Sequence, residues 1–415
     1  MKKTAAVVGG AALALLAARA ARAELAAQAV ANVTGGATNN PLLAPEGTVS
    51  PGLDEFTTVR ATAQGLYRGR LVNQLLAYTY TGTFYATATE ANSQGHQLLW
   101  SLDGTPTART EVRAQASATY GHLNSINPLA ATAALNPMTV ATAGFVSLPS
   151  NPVTYFGGAA QATGSYRPTG TTLWSEVTSV NSFVPIDGET GHSIALLQTG
   201  HYERERARNA LLVDLMLSYL DASSLTPPDG MPLQPSPMFQ AQGTVGWRRD
   251  VSPVLNYALE GGVLLLDATS GNQLSVQPVG KATIHYQTER VLAEVTASES
   301  SLMNVYIGQT FMVAGLTARA AVPIDRLQRF RLIGLATGDR QWAIISGGLD
   351  AAMDLLAADV GIVYQPLQQP FLASLDYSVL DQIGHTVGGT MYQTVHRQAV
   401  LLTLTGTWGT DRDRR

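Results

Sequence analysis

The sequence repeatedly alternates apolar and polar side chains over roughly ten residues and then breaks at a turn. Segment 73–90 shows this most clearly: Leu76, Tyr78, Tyr80 and Phe84 fall in one set, and threonines fill the other. Successive side chains of a β-strand point to opposite faces, so this segment has one apolar face and one hydroxyl-rich face. A helix would scatter the same apolar residues around its axis. The pattern predicts an all-β fold.

The same alternation recurs along the chain, for example at 58–67, 111–120, 239–248 and 400–408. Short connections alternate with long ones, which is the layout of a transmembrane antiparallel up-and-down β-barrel with tight turns on one rim. Counting strands predicts about eighteen, with sixteen as the nearest alternative. A shift in the parity of the polar residues within 342–364 indicates a β-bulge or a split strand.

The N-terminus has the features of a cleaved secretory signal peptide, expected to be residues 1–23. Lys2 and Lys3 precede an apolar stretch, which ends at the small-residue motif Ala21-Arg22-Ala23. The remaining residues, 24–415, are expected to form one barrel domain. No later segment has about 18 continuous apolar residues, so no transmembrane helix is predicted.

The composition is sparse in charge and free of cysteine. Charged residues make up 13% of the chain, against roughly 25% in typical soluble domains. A net charge of -4 argues against a nucleic-acid partner. With the signal peptide and the alternation, this composition predicts an integral protein of the outer membrane of a Gram-negative bacterium, with the lipid bilayer as its surroundings.

Several aromatic residues lie on the apolar face close to a predicted short turn or to the C-terminus. Tyrosine and tryptophan are enriched where a barrel meets the membrane interface. Six residues are therefore expected to be membrane-interface aromatics: Tyr67, Tyr166, Trp247, Tyr257, Tyr286 and Trp408. In a β-sandwich the same residues would be core side chains without preference for one rim.

The polar face is expected to line a hydrated lumen, since an eighteen-stranded barrel is wide enough to leave a channel. Its charges are nearly balanced, and no basic ladder of the kind expected for an anion-selective pore is visible. This composition suits a neutral or weakly charged polar solute. The predicted lumen-lining residues are Arg60, Thr79, Thr81, Thr83, Glu111, Arg113, Glu176, Asp214, Arg248, Glu260, Glu294, Arg319, Arg329, Arg331 and Asp376.

The long loop 121–158 is a candidate constriction, because loops of that length are usually functional or disordered. The sequence has neither a G-x-S-x-G elbow nor an H-E-x-x-H motif, the signatures of a serine hydrolase and of a zinc protease. Asp350, Asp354 and Asp359 lack the loop chemistry of a calcium site. No enzymatic activity, cofactor or metal is expected.

The first hairpins resemble a family of Gram-negative outer-membrane β-barrels. The similarity rests on the stretch Thr34-Gly35-Gly36-Ala37-Thr38-Asn39-Asn40-Pro41-Leu42, the strand around Val59-Arg60 and the stretch Gln74-Leu75-Leu76-Ala77-Tyr78. In size and strand count the chain resembles the porins of exopolysaccharide export systems, such as the alginate exporters. It differs from the alginate type in lacking a strongly basic lumen.

This resemblance implies an outer-membrane exit for a secreted polysaccharide, with a periplasmic polysaccharide export protein as partner. Alternatives from the same residues are a general or small-solute diffusion porin, a closed structural or adhesion barrel, and a barrel hydrolase.

Overall fold

A computed structural model describes most of the chain from residue 24 onward. The described residues are 24–41, 52–122, 154–186, 191–222, 237–268, 273–304, 309–345, 348–366, 370–387, 390–391 and 394–409. The expected signal peptide, 1–23, and most of the loop 121–158 lie outside these ranges. Within them, none of the helical segments has the length and apolar character of a membrane-spanning helix.

The described residues form one 18-stranded antiparallel sheet and one two-stranded hairpin. The strands of the large sheet are β1 (Glu24–Thr38), β2 (Asp54–Arg68), β3 (Val72–Tyr85), β4 (Ser93–Thr107), β5 (Thr110–His122), β6 (Thr154–Thr169), β7 (Thr172–Pro185), β8 (Ser193–Arg206), β9 (Asn209–Asp221), β10 (Met238–Ser252), β11 (Leu255–Ala268), β12 (Gln273–Gln287), β13 (Leu292–Asn304), β14 (Gln309–Pro323), β15 (Phe330–Ile345), β16 (Gly348–Tyr364), β17 (Phe371–Gly384) and β20 (Val395–Gly409). The hairpin consists of β18 (Thr386–Val387) and β19 (Thr390–Met391), and a 3-10 turn lies at Thr89–Ala91.

The large sheet closes on itself. Each strand pairs with its neighbour in sequence, β17 pairs with β20, and β1 pairs with both β2 and β20. Across the closing seam the hydroxyl groups of Thr34 and Thr403 are 2.9 Å apart. The prediction of an up-and-down barrel with about eighteen strands is confirmed.

Alternating exposure distinguishes the two faces of the wall. On β3, Leu76 and Tyr78 are 54% and 46% exposed, whereas Thr79 and Thr83 are 8% and 4% exposed. Because the inside of a closed barrel is enclosed by its own wall, the buried set faces inward and the exposed apolar set faces outward. Leu76, Tyr78, Tyr80 and Phe84 therefore lie on the outward face, as the alternation predicts.

The two rims of the barrel differ. One rim, the turn end, carries the short connections 69–71, 108–109, 170–171, 207–208, 253–254, 288–291, 324–329 and 365–370. The opposite rim is the loop end. A turn expected at Gly104-Thr105-Pro106 lies instead inside β4, because β4 continues past an irregularity to the pair Thr107↔Thr110.

The parity shift within 342–364 corresponds to a bulge in β16. Gln341 pairs with Met353 and Trp342 pairs with Ala351, so Ala352 is the extra residue. A bulge of this kind changes the direction of the strand. It lies where the ends of several strands leave the regular barrel wall.

The strand ends leave the barrel wall first between β12 and β13. These strands pair only from Gly280↔Glu299 to Gln287↔Leu292. Towards the loop end, 273–279 of β12 pair only with β11, and 300–304 of β13 pair only with β14. Pro278, which has no N–H to donate to a ladder, lies in the part of β12 that has lost β13 as a partner.

Candidate channel constriction

Where β12 and β13 separate, the loop-end part of the hairpin formed by β13 and β14 folds across the inside of the barrel. Gln240 of β10 is fully buried on the inward face, and its Oε1 accepts a hydrogen bond of 2.6 Å from Ser301 Oγ of β13. Its Nε2 donates to Thr310 Oγ1 of β14 at 3.4 Å. Strands β11 and β12 separate β10 from β13 around the wall. The hairpin tip therefore lies inside the lumen, opposite the inner face of β10–β12.

Burial on both sides of β14 supports this placement. Gln309, Thr310, Phe311 and Met312 are four consecutive buried residues, although a wall strand exposes every second side chain. Inward-facing residues of β10–β12 pack against Met312 and against Ile344 of β15. This apolar cluster consists of Met238, Leu264, Leu266, Val279, Met312 and Ile344. The inward-folded strand ends and the wall thus form a local two-layer packing.

The hairpin tip borders a cavity of about 510 Å³ between itself and the wall of β4–β9. Ser301, Leu302 and Met303 supply the hairpin side of this cavity. Most of the polar lining carries a hydroxyl or a side-chain amide, and no charged side chain contributes to the described lining. The polar members are Gln97, Ser117, Thr119, Tyr155, Asn181, Ser182, Ser218, Gln240 and Ser301.

Some of these polar atoms have hydrogen-bonding capacity left over. Ser218 Oγ lines the cavity and, among the described residues, is buried without a partner. Gln242 Oε1, two residues along β10 from Gln240, is likewise buried without a hydrogen-bond partner among the described residues. Buried polar atoms are costly unless they form hydrogen bonds. A hydrated solute in the cavity would find acceptors and donors without a net charge.

One group of charged inward residues lies nearer the turn end, where its members form ion pairs. Arg248 Nη2 is 2.7 Å from Glu203 Oε1 and 3.0 Å from Glu205 Oε1. On the neighbouring strands His201 Nδ1 is 2.7 Å from Asp214 Oδ1. These contacts join β8, β9 and β10 across the inward face. Arg248 compensates part of the negative charge of this group, in which carboxylates outnumber arginine.

Two further ion pairs lie on the inward face. Glu294 Oε2 accepts from Arg319 Nη2 at 2.8 Å and lies 3.0 Å from His285 Nδ1. Arg113 Nε lies 3.3 Å from Asp103 Oδ1 between β4 and β5. The charges are therefore distributed around the barrel in mixed-sign pairs, in agreement with the balanced composition of the polar face.

Some inward carboxylates lie flat along the wall because glycine faces them on the next strand. Asp339 is paired with Gly315, and Asp376 is paired with Gly361. A Cβ added at either glycine would collide with the carboxylate. The missing side chain therefore keeps these two acids out of the centre of the lumen.

Most of the predicted lumen-lining residues lie on the inward face. They are Arg60, Thr79, Thr81, Thr83, Glu111, Arg113, Asp214, Arg248, Glu260, Glu294, Arg319, Arg331 and Asp376. Arg329 lies in the short connection before β15, where its Nε is 3.1 Å from Asp325 Oδ2.

Glu176 does not face the lumen and corrects the prediction. It pairs with Gly164 one step from the pair Tyr166↔Trp174, whose rings are exposed on the outward face. Strand β7 carries polar residues on both faces, including Ser175 and Asn181 inward. Its alternation is therefore too weak to assign the face of Glu176 from sequence.

The six predicted aromatics, Tyr67, Tyr166, Trp247, Tyr257, Tyr286 and Trp408, all lie on the outward face near the turn end. Sequence reasoning missed others at the same level: Trp100, Trp174, Tyr202, Phe330, Tyr364 and Phe371. Ring centroids are 4.4 Å apart in Trp174–Tyr202 and 4.6 Å in Phe330–Tyr364. Their positions flanking the observed turns are the signal that would have identified them.

A serine, a histidine and an aspartate are neighbours on the inward face of β7–β9. Ser175 and His201 are cross-strand partners, as are His201 and Asp214. The Nε2 of His201 lies 3.6 Å from Glu203, so this histidine is held between two carboxylates, an arrangement that suits an ion pair rather than activation of a serine. Among the described residues, no group of three or more His, Cys, Asp or Glu side chains is placed to hold a metal ion.

No protein-family model matches this chain, and no curated protein matches it. Solved structures resemble it in architecture. The siderophore receptor PirA from Pseudomonas aeruginosa is 9% identical, with a TM-score of 0.49 and coverage of 92% of this chain and 80% of that one. OccAB2 from Acinetobacter baumannii is 10% identical, with a TM-score of 0.46 and coverage of 94% and 98%.

The outer membrane protein opdK from Pseudomonas aeruginosa is 9% identical, with a TM-score of 0.47 and coverage of 93% of this chain and 99% of that one. This likeness is too distant to carry a substrate or a partner to this chain. The function is inferred instead from the strand pairing and the contacts inside the barrel.

Proposed function

We propose that this protein is an integral channel of a Gram-negative outer membrane that passes small uncharged polar solutes. The observation that carries the proposal is the cavity of about 510 Å³ beside the hairpin tip, whose polar lining consists of amides and hydroxyls, with no charged side chain among its described lining residues. Such a lining offers hydrogen bonds to a sugar-like solute and little attraction to an ion.

The outward face supports placement in a membrane. Large apolar side chains are exposed on every described barrel strand except β2, for example Leu215 at 62%, Val245 at 60% and Leu404 at 54%. Soluble proteins rarely expose continuous apolar surface of this extent. The aromatic residues near the turn end would form the girdle at one membrane interface.

The direction of insertion follows from the connections. Outer-membrane barrels place short turns in the periplasm and long loops outside. The turn end would therefore face the periplasm, and the signal peptide expected at 1–23 would direct export of the chain. With this orientation the inward-folded hairpin narrows the channel from the outer side.

The constriction favours small solutes over a polymer. Contacts from Gln240 to Ser301 and Thr310 hold the hairpin tip across the lumen. Export of a polysaccharide would need this tip to leave the lumen while the polymer passes. Such export, with a periplasmic polysaccharide export protein at the short turns, therefore remains only an alternative use of the same barrel.

The test is conductance and solute flux with the purified full chain. In planar bilayers we expect stable single-channel conductance with weak ion selectivity. In liposome swelling, neutral sugars should enter at rates that fall with size, and charged analogues of matched size should enter more slowly. A barrel that inserts and neither conducts nor admits sugars would contradict the proposal.

A further inference from the structure

The outward face of β6–β9 contains a polar pair among apolar neighbours. Glu176 of β7 and Gln198 of β8 both face outward, and Gln198 Nε2 donates a hydrogen bond of 2.7 Å to Glu176 Oε1. Nearby outward residues of β9 are Leu215 and Leu217, which are 62% and 47% exposed. A carboxylate on a lipid-facing surface is unfavourable unless a partner compensates its charge.

This pair lies in a surface groove of about 700 Å³. The floor includes Gly164 and Gly200, and a Cβ at either position would meet no atom within 4 Å. Tyr166, Trp174 and Tyr202 form the walls towards the turn end, while Leu215 and Leu217 form the apolar side. The groove is therefore open, partly aromatic, and acidic at one point.

The combination of groups suits a cation carried on an apolar molecule. Aromatic faces attract ammonium groups, and a carboxylate forms charge-assisted hydrogen bonds with them. The leucines offer apolar surface to a hydrocarbon chain. We propose that the groove binds a membrane phospholipid with a primary-ammonium headgroup, with Glu176 holding the ammonium. This inference rests on the proposed insertion in a membrane.

A second copy of the chain is a less suitable occupant. Among the described strands, the outward-facing Arg204, Arg206 and Arg249 lie on the turn-end side of the aromatic residues, and Arg340 lies towards the loop end. None of these arginines is at the level of Glu176. Glu176 follows Trp174 by two residues on β7, so the groove adjoins the turn-end aromatic residues, at the level where the ammonium groups of one leaflet lie.

The experiment measures lipid retention by native mass spectrometry of the full chain in detergent. Dioleoyl-phosphatidylethanolamine and dioleoyl-phosphatidylglycerol are titrated separately. We expect one phosphatidylethanolamine to be retained per chain in preference to phosphatidylglycerol, and Glu176→Gln to weaken this retention by roughly tenfold. Equal retention of the two lipids by the unaltered chain would overturn the proposal.

Glu299→Gln is the matched control, because Glu299 is another exposed acid whose cross-strand partners Gly280 and Ala314 lie on the outward face. It should leave lipid retention unchanged. Unchanged retention in Glu176→Gln, or loss of a dimer without loss of lipid, would count against the lipid site. Gly200→Val fills the groove by a second route and should also lower retention.

Failure of this inference is separable from failure of the channel proposal. Glu176 faces away from the lumen, so Glu176→Gln should conduct as the unaltered chain does. A barrel that conducts normally but shows no preference for the ammonium lipid contradicts the lipid site alone. A barrel that does not insert into bilayers contradicts the proposal on which both depend.

Discussion

Ser301 Oγ of β13 donates a hydrogen bond of 2.6 Å to Gln240 Oε1 of β10, although two strands separate β10 and β13 around the wall. A contact of this kind forms only if one element leaves the wall and crosses the inside. The contact between Ser301 and Gln240 therefore locates the level at which the hairpin narrows the lumen.

Removing this contact should widen the channel. In Gln240→Ala the hairpin residues Ser301 and Thr310 lose their hydrogen bonds to β10, so we expect higher single-channel conductance and faster entry of large sugars. The measurement is conductance in planar bilayers, with liposome swelling as a second readout. Gln115→Ala is the control, because Gln115 faces inward and bonds Gln161, away from the hairpin. Equal conductance in the unaltered chain and Gln240→Ala would refute a constricting role.

The apolar cluster should hold the hairpin in place. Met312 is 1% exposed and packs with Leu264 and Val279. Truncating a buried methionine costs about 2–5 kcal/mol, so Met312→Ala should lower the free energy of unfolding by that amount in urea titrations of the detergent-solubilised chain. Leu316→Ala, at an outward position on the same strand that is 52% exposed, should have a smaller effect. Similar losses in the two variants would show that the cluster does not stabilise the hairpin.

The ion pairs of Arg248 should affect the ion selectivity of the turn-end half of the channel. Arg248→Ala leaves Glu203 and Glu205 without their arginine partner, which adds uncompensated negative charge to the inward face. We expect the reversal potential in a salt gradient to shift towards cation preference. Arg290→Ala, in the short connection between β12 and β13, changes the net charge equally and should shift it less. A reversal potential that is the same in both variants would remove Arg248 from the selectivity of the channel.

The connection 324–329 should lose stability in acid. Hydrogen bonds from the Phe330 N–H at 2.9 Å and from Arg329 Nε at 3.1 Å hold the pKa of Asp325 below its ordinary value. A lowered pKa means that the carboxylate stabilises the turn above the ordinary Asp pKa of about 3.9 and loses this effect as pH falls through the lowered pKa. Asp325→Asn should therefore unfold at a lower temperature than the unaltered chain near neutral pH.

The same comparison in acid provides the check. Once the pH falls below the lowered pKa of Asp325 the carboxyl is protonated, so the two melting temperatures should converge. A difference that stays constant with pH would assign the effect to the amide rather than to the charge.

The sequence predicts the wall of the barrel well because each wall strand obeys one physical rule. Leu76 faces the apolar surroundings and Thr79 faces the enclosed interior. Because successive side chains of a strand point to opposite faces, apolar and polar residues alternate with a period of two. The same rule allowed the strands to be counted. It also placed Arg248 and Glu294 on the inward face, since their neighbours alternate cleanly.

The sequence does not reveal the constriction, because the residues that form it do not alternate. Ser300 to Asn304 contain no period of two, and Phe311, Met312 and Val313 form a continuous apolar run. Such a run is typical of a strand buried on both faces. It is a usable signal, but the contact between β10 and β13 depends on tertiary packing. The loop 121–158, expected to constrict the lumen, lies largely outside the described residues, so that expectation stays a prediction.

Closure of the barrel also has a kinetic consequence. Most strand pairs are hairpins between sequence neighbours, but β1 must find β20, and Thr34 lies 369 residues from its partner Thr403. Contacts this distant in sequence form late, because the entropy of the intervening chain opposes them. Until then both terminal strands present unpaired edges, which attract other strands. The first and last strands are therefore the part of this molecule most dependent on assistance during its assembly.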